Sequence, residues 1–146
     1  MKILLRPSES TTLNVVPDLA EVDGKLFFSK KAYQHLRELV DTEGEFLPVT
    51  YKGGTGFIFN ILTIAEDQNG LNEKLTGYDR HRNLSNFSFR EEVMGKTPIF
   101  RAKIDHYQGI FCNESFKNKV NEASLSGVNF SIDLGNPMRE TYGPLQ

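Results

Sequence analysis

The sequence contains no tryptophan and a single cysteine, Cys112. One cysteine excludes a disulfide within the chain. No apolar run reaches the ~18 residues that a membrane-spanning helix needs, and the opening residues lack the apolar stretch of roughly 7–15 residues that marks a secretory signal. We therefore expect a cytoplasmic protein with no membrane partner.

The sequence also lacks an excess of charge of either sign. It has 17 basic and 19 acidic residues, for a net charge of −2. Non-specific binding to nucleic acid needs a dense basic surface that displaces counterions. The balance therefore argues against a nucleic-acid partner.

What the sequence does contain is typical of one globular domain. Its 146 residues are 38% hydrophobic and include 11 phenylalanines, which predicts a phenylalanine-rich core. The last dozen residues are rich in glycine and proline. We predict a single domain over residues 1–134 and a C-terminal tail over 135–146.

In the first half, a short strand is expected up to Pro7, followed by a loop over residues 8–23 with one edge strand near residues 13–16. A strand at residues 25–28 leads to Ser29, whose side chain can cap a helix over residues 30–41.

Two strands should follow that helix. Pro48 lacks an amide donor, so a strand over residues 46–51 belongs at an edge. Residues 57–64 are apolar on both alternating faces, which favours a central strand covered on each side. Asn60 would then be buried and would need a hydrogen-bond partner.

In the second half, the polar stretch 66–86 shows little periodicity, and Phe87 and Phe89 suggest a short strand. Strands over residues 98–104 and 107–112 should form a hairpin, Asn113 should cap a helix to about Ser124, and residues 128–134 should form a closing strand. The predicted fold class is α+β, with a mainly antiparallel sheet and two main helices.

The two strand–helix–strand segments also match each other at a constant offset of 84 residues. Leu26 corresponds to Ile110, and the cap Ser29 corresponds to the cap Asn113. An internal duplication and a coincidence of two similar units both explain this match.

The densest polar cluster is the stretch Tyr78, Asp79, Arg80, His81 and Arg82. It could be a solvated loop, a partner-binding loop or, least favoured, a catalytic loop with a general base and a cationic clamp. It has no second carboxylate or ligand at a spacing that indicates a metal site.

The other candidate sites have simpler structural explanations. Asp105 and His106 are adjacent, so they should diverge at the tip of a hairpin. Cys112 precedes a helix N-terminus, which can lower a thiol pKa, but it fits the apolar alternation of a strand. Residues 53–56 lack the lysine of a phosphate-binding loop and the helix that follows one. We expect no catalytic residue, no metal and no cofactor.

Three stretches resemble the C-terminal half of immunity protein family 11 of bacterial polymorphic toxin systems. They are residues 97–101 (TPIFR), 112–117 (CNESFK) and 125–130 (LSGVNF). A looser resemblance begins near residue 20. The family's acidic, serine-containing segment after the central strand is replaced here by residues 65–70 (AEDQNG).

The resemblance implies a protein without enzymatic activity that neutralises a cognate toxin by binding it. The long polar connection over residues 66–86 would then supply the interface, because Tyr78, Arg80 and Arg82 are residue types enriched in binding hot spots. The alternatives are a small enzyme or ligand-binding domain that combines the Tyr78–Arg82 and Asp105–His106 loops, and a structural subunit. The oligomeric state is left open.

Overall fold

The computed structural model describes residues 3–7, 16–78, 80–81 and 84–131. These residues contain ten strands and three α-helices in the order β1, β2, β3, α1, β4, β5, β6, β7, α2, β8, β9, α3, β10. Their bounds, in that order, are Ile3–Pro7, Leu19–Val22, Lys25–Ser29, Lys30–Val40, Gly44–Tyr51, Gly54–Ile61, Gly77–Tyr78, Leu84–Asn86, Glu91–Met94, Ile99–Phe100, Ile110–Cys112, Glu114–Glu122 and Val128–Ser131.

The first unit is a four-stranded antiparallel sheet with the order β2-β3-β5-β4, which we call the first sheet. Helix α1 connects β3 to β4, and β5 fills the space between these two strands. The Ser29 side chain accepts a hydrogen bond from the amide of Ala32, as the capping prediction requires. Pro48 lies in β4, at the edge of the sheet, where its missing amide donor does no harm.

The second unit repeats this arrangement in a sheet with the order β8-β9-β1-β10, the second sheet. Helix α3 connects β9 to β10, and the Asn113 side chain caps it by accepting from the amide of Phe116. The strand between β9 and β10 is β1, from the opposite end of the described sequence. The fold is therefore α+β, as predicted.

The strand register confirms that the two units are equivalent. In the first sheet, Phe59 pairs with Leu26 on one side and Phe46 on the other. In the second sheet, Leu5 pairs with Ile110 and Phe130. Ile110 and Phe130 are the residues that the offset of 84 assigns to Leu26 and Phe46.

The edge hairpins match as well. Leu19 pairs with Phe28 in the first sheet, and Ile99 pairs with Cys112 in the second. Phe28 and Cys112 each directly precede a helix cap and correspond at the same offset. The repeat thus extends to four strands and one helix in each unit, with β1 taking the position of β5.

The two units share one hydrophobic core. Helices α1 and α3 contact each other, and each packs its buried face against its own sheet. Leu36 and Val120, which correspond at the offset of 84, are both buried in this core. Rings from the first sheet meet edge to face, including Phe28 with Phe46 at 5.0 Å between centroids, a geometry that aromatic pairs favour.

A second, smaller core lies on the opposite face of the second sheet. Here residues 65–94 fold back over the sheet and bury Phe87 and Met94 against Phe100 and Phe111. Phe89 packs edge to face on Phe100, with 5.0 Å between centroids. This covering layer is the stretch that we predicted to be mostly a polar loop, and its apolar residues give it a packed underside.

The structure corrects several boundaries. Strand β8 covers only Ile99 and Phe100, because residues 101–109 form turns instead of a long hairpin. The edge strand before β3 lies at Leu19–Val22, whereas the strand predicted near residues 13–16 falls mostly outside the described residues.

Another correction concerns β5, which is central but turns only one of its faces into the shared core of the described residues. Phe59 and Ile61 point into the core, whereas Ile58 and Asn60 lie on the other face and are partly exposed. Asn60 is thus not buried as predicted, and it donates to Glu45 on the neighbouring strand at 3.5 Å.

The two units are joined at Asp18 and Gly127. The Asp18 carboxylate accepts from the Ser29 hydroxyl at 2.8 Å and from the Ser126 amide at 3.0 Å. Gly127 has a φ of +108°, and a Cβ at this position would lie 1.9 Å from the carbonyl oxygen of Leu19. The glycine is required both by its backbone conformation and by the close approach of the neighbouring unit.

We predict that Gly127→Ala lowers the free energy of unfolding by about 3 kcal/mol or more, because backbone must move to admit the methyl group. Gly53→Ala is the matched control. Gly53 has a φ of +110° but no atom within 4 Å of the added Cβ, so only conformational strain of roughly 1–3 kcal/mol, without a clash, is expected. Urea unfolding of both variants measures the difference, and equal losses would contradict the contact argument.

Candidate functional site

The covering layer presents an exposed tip above its packed underside. Strands β6 and β7 form a two-stranded hairpin in which Tyr78 pairs with Leu84. Tyr78 is 60% exposed, and Leu75, just before the hairpin, is 61% exposed. Arg80 and His81 are exposed in the turn. We call Leu75, Tyr78, Arg80 and His81 the hairpin tip.

Hydrogen bonds hold the base of this tip. The Asn72 amide donates to the Ser88 carbonyl at 2.7 Å, and the Ser88 amide donates to the Thr76 hydroxyl at 3.0 Å. The amide of Thr76 donates back to the Asn72 carbonyl at 3.0 Å. Leu71 and Phe87, the sequence neighbours of Asn72 and Ser88, are buried. The exposed side chains therefore stand on a fixed platform.

Two members of the predicted cluster, Asp79 and Arg82, lie outside the described residues. The other three are exposed together at the tip, which agrees with a surface role. Leu75 was missed because an isolated leucine in a polar stretch gives no periodic signal. Its exposure became visible only from the path of the chain.

The second predicted loop, Asp105–His106, has a different character. Asp105 is 7% exposed, and its Oδ2 accepts the amide of Gly109 at 2.8 Å. His106 is exposed, with a left-handed backbone at φ +58°. The two side chains thus diverge, as predicted, but Asp105 is a buried structural group instead of part of an exposed polar tip.

The turns around Asp105 are organised by Glu66 of the covering layer. Its two carboxylate oxygens accept the amides of Lys103 and Ile104, each at 2.8 Å. Lys103 also forms an ion pair with Asp67 at 2.8 Å, and this hydrogen bond and charge raise the Lys103 pKa. These contacts tie the covering layer to the loop after β8.

Arg101 lies at the edge of this loop. Its guanidinium stacks over the Tyr107 ring at 5.4 Å from the centroid and donates to the Tyr107 carbonyl. Burial lowers the Arg101 pKa, while the charge of Asp105 opposes that change. These contacts hold the turns after β8 in place.

Within the described residues there is no group of three or more histidine, cysteine, aspartate or glutamate side chains that could hold a metal. Cys112, the one thiol, is fully buried in β9. Over the same part of the chain, no helix has the length and apolar character needed to cross a membrane.

Residues 61–132 match the immunity protein family Imm11. No curated protein and no solved structure matches the chain significantly.

The Imm11 match confirms the resemblance noted in the sequence. It begins at the last residue of β5 and includes the covering layer, the hairpin tip and all three motif stretches. The motif residues are mainly structural: Phe100 is buried beneath the covering layer, Asn113 caps α3, and Gly127 makes the close contact with Leu19. In the Imm11 region, the motifs maintain the scaffold and the tip is left exposed.

The buried carboxyl of Asp105 should affect the stability of the fold. Burial raises the pKa of its carboxyl, and the hydrogen bond from Gly109 opposes this rise. Its Oδ1 is buried without a hydrogen-bond partner among the described residues. The Asp105→Asn variant keeps an acceptor for the Gly109 amide and removes the buried charge, but it puts an NH2 group without an acceptor at the Oδ1 position. We therefore expect it to be less damaging than Asp105→Ala at pH 7. Asp105→Ala should lose about 1–3 kcal/mol.

The contribution of Asp105 to the free energy of unfolding changes with pH in a definite direction. Because the folded-state pKa is raised, the folded protein holds the Asp105 proton more tightly than the unfolded chain does. This stabilisation is full below the unfolded pKa and is lost as pH rises through the folded pKa. Urea unfolding of the parent and the Asn variant from acidic to neutral pH measures it. If Asn is as damaging as Ala at pH 7, the ionised carboxylate has a stabilising role and the prediction is wrong.

Proposed function

We propose that this protein is an immunity protein that neutralises a cognate bacterial toxin by binding it directly through the hairpin tip. The observation that carries the proposal is the exposed Tyr78 and Arg80 pair on a hydrogen-bonded platform, inside the region that matches Imm11. The family's description supports an immunity role, and the tip has the residue types that binding hot spots use.

The proposed mechanism is occlusion, not chemistry. A tyrosine ring and a guanidinium offer a large contact area and fixed donors, which a toxin surface could bury around Leu75. The platform beneath keeps the ordering cost of binding low, because the hairpin base is already held before the partner arrives. A binding protein of this kind needs no cofactor, metal or catalytic residue.

The same reasoning favours a protein partner over nucleic acid or membrane. The net charge of −2 gives no broad basic surface, so the few cations at the tip would recognise a local acidic feature of the toxin. A toxin that acts inside bacteria would have to be met in the cytoplasm, and we place the protein there.

The enzyme alternative has less support. It requires Asp105 and His106 to act with the Tyr78–Arg82 loop. Asp105 instead binds the Gly109 amide and is turned away from solvent, whereas His106 is exposed.

The decisive experiment is co-expression with the toxin encoded by the neighbouring gene. Growth rescue and a co-purifying complex are the expected results. Changing Tyr78, Arg80 and Arg82 together to alanine should abolish protection while leaving thermal unfolding unchanged. Each of the Tyr78→Ala and Arg80→Ala single variants should weaken binding by about 30-fold.

A control triple variant changes Lys30, Lys31 and Gln34, which are exposed on α1, to alanine. It should retain full protection. If the tip variant protects as well as the parent, the toxin interface is elsewhere. If the neighbouring gene product is not toxic, the immunity proposal itself fails.

A further inference from the structure

The edge hairpins of the two equivalent units differ in length. Leu19 pairs with Phe28, nine positions later, in the first sheet. Ile99 pairs with Cys112, thirteen positions later, in the second sheet. Phe28 and Cys112 correspond at the offset of 84 residues, so the hairpin of the second unit contains four additional residues. They lie within residues 101–109, which we call the long loop.

Reversing the chain does not require these additional residues. The first hairpin turns at Asp23 and Gly24, whose φ values of +50° and +79° are both positive, as a two-residue hairpin turn of this kind requires. The long loop instead places His106 and Tyr107 in the left-handed region, at φ +58° and +62°. Residues other than glycine disfavour this conformation, and it persists where the surrounding contacts impose it.

One set of surrounding contacts comes from Glu66 in the covering layer. Its carboxylate accepts the amides of Lys103 and Ile104, each at 2.8 Å, and we call these two hydrogen bonds the Glu66 clasp. Hydrogen bonds to a charged acceptor are stronger than those between neutral groups. Beside the clasp, the Ala65 amide donates to the Arg101 carbonyl at 2.9 Å. The long loop is therefore bound directly to the start of the covering layer.

Backbone hydrogen bonds continue from the clasp to the base of the hairpin tip. The Gly70 amide donates to the Ala65 carbonyl at 2.8 Å, and the Arg90 amide donates to the Gly70 carbonyl at 2.7 Å. The next bond between the same two segments joins the Asn72 amide to the Ser88 carbonyl, also at 2.7 Å. This last bond is part of the base of the tip. One run of hydrogen bonds thus joins the clasp to the tip.

Close packing leaves little freedom along this run. A Cβ on Gly70 would clash with the sulfur of Met94, and both Met94 and Ala65 are fully buried. Closely packed interiors transmit displacements because they contain few voids that could absorb them. A shift of Ala65 beside the clasp should therefore move the segment that leads to the tip.

We propose that Glu66 is a positioning residue for the hairpin tip. By binding two amides of the long loop, it fixes where the covering layer lies on the second sheet and holds the tip in the position that meets the toxin. This inference rests on the proposed function and adds to it a residue that acts through the tip. Phe87 and Met94 keep the layer on the sheet by apolar contacts, which are non-directional, so the clasp supplies the directional part.

Hydrogen exchange of the full chain, followed by NMR, tests the link between the clasp and the tip. Glu66→Gln keeps the size of the side chain, but its NH2 group faces an amide donor, so one bond of the clasp is lost. We expect exchange to accelerate by about tenfold at Lys103 and Ile104, and by about threefold or more at Asn72 and Ser88. Amides of the first sheet should exchange at the parental rate.

Asp67→Asn is the matched control for this change. It also converts a carboxylate to an amide, at the next residue along the chain. The Asp67 carboxylate pairs with Lys103 at 2.8 Å, and both side chains are more than half exposed, so the ion pair contributes little. Exchange at the base of the tip should stay at the parental rate.

Binding kinetics with the toxin of the neighbouring gene separate positioning from direct contact. Glu66→Gln should lower the association rate about fivefold, because a smaller fraction of molecules holds the tip in the binding position. Its dissociation rate should stay within about twofold of the parent, since the contacts in the complex are unchanged. Tyr78→Ala removes a contact and should act mainly on the dissociation rate. Asp67→Asn should match the parent in both rates.

Two results would overturn this inference. They are an unchanged exchange rate at Asn72 and Ser88, and an unchanged association rate, because Glu66 would then serve the long loop alone. Failure of the proposed function gives a different result. The tip alanine variant would then protect as well as the parent, and Glu66→Gln would leave toxin binding unchanged even where it loosens the base of the tip.

Discussion

A strand–helix–strand crossover that leaves room for one more strand is the constraint on which this structure depends. In each unit the helix carries the chain over the sheet and returns it two positions away, so two parallel strands face each other across a gap. Their inward amides and carbonyls must be paired, because unpaired backbone groups inside a sheet are costly. The first unit fills the gap with the next strand, β5, and the second fills it with β1 from the other end of the described sequence. With both gaps filled, the two units share one core, helices α1 and α3 contact each other, and Asp18 links the units by a hydrogen bond to Ser126.

Local chemistry predicted much of this fold. The caps at Ser29 and Asn113 and the edge position of Pro48 each express a backbone requirement that only a few residue types meet. The offset of 84 residues also relates the strand pairing of the two sheets, since it maps paired residues of one sheet onto paired residues of the other. The caps and the proline were predictable because each depends on neighbouring residues, and the offset was visible because two segments share one sequence pattern.

Prediction from the sequence failed for features that depend on contacts between distant segments of the chain. Alternation could not show that β5 turns only one face into the shared core, because Ile58 on the other face looks like a core residue in the sequence. Nor could it show that residues 65–94 form a covering layer, since Phe87 and Met94 carry no period of their own and are buried by meeting Phe100 and Phe111. The sequence also gave no sign that Asp105 is buried, because its burial depends on the turn that brings the Gly109 amide to its carboxylate. For the site, the sequence located Tyr78, Arg80 and His81, which are exposed at the hairpin tip, but it missed Leu75.

The placement of β1 has a consequence for how the molecule assembles. Residues 19–61 contain all the strands of the first sheet, joined by short connections, so this unit can form from local contacts. The second sheet needs Leu4 beside Ser131 and Phe111, and contacts between such distant segments form slowly because a long loop must close first. The strands of the first unit can therefore pair early, whereas the second sheet is complete only when β1 pairs with β9 and β10. A defect in that strand would then appear mainly as slow folding of the second unit, far from the residues changed.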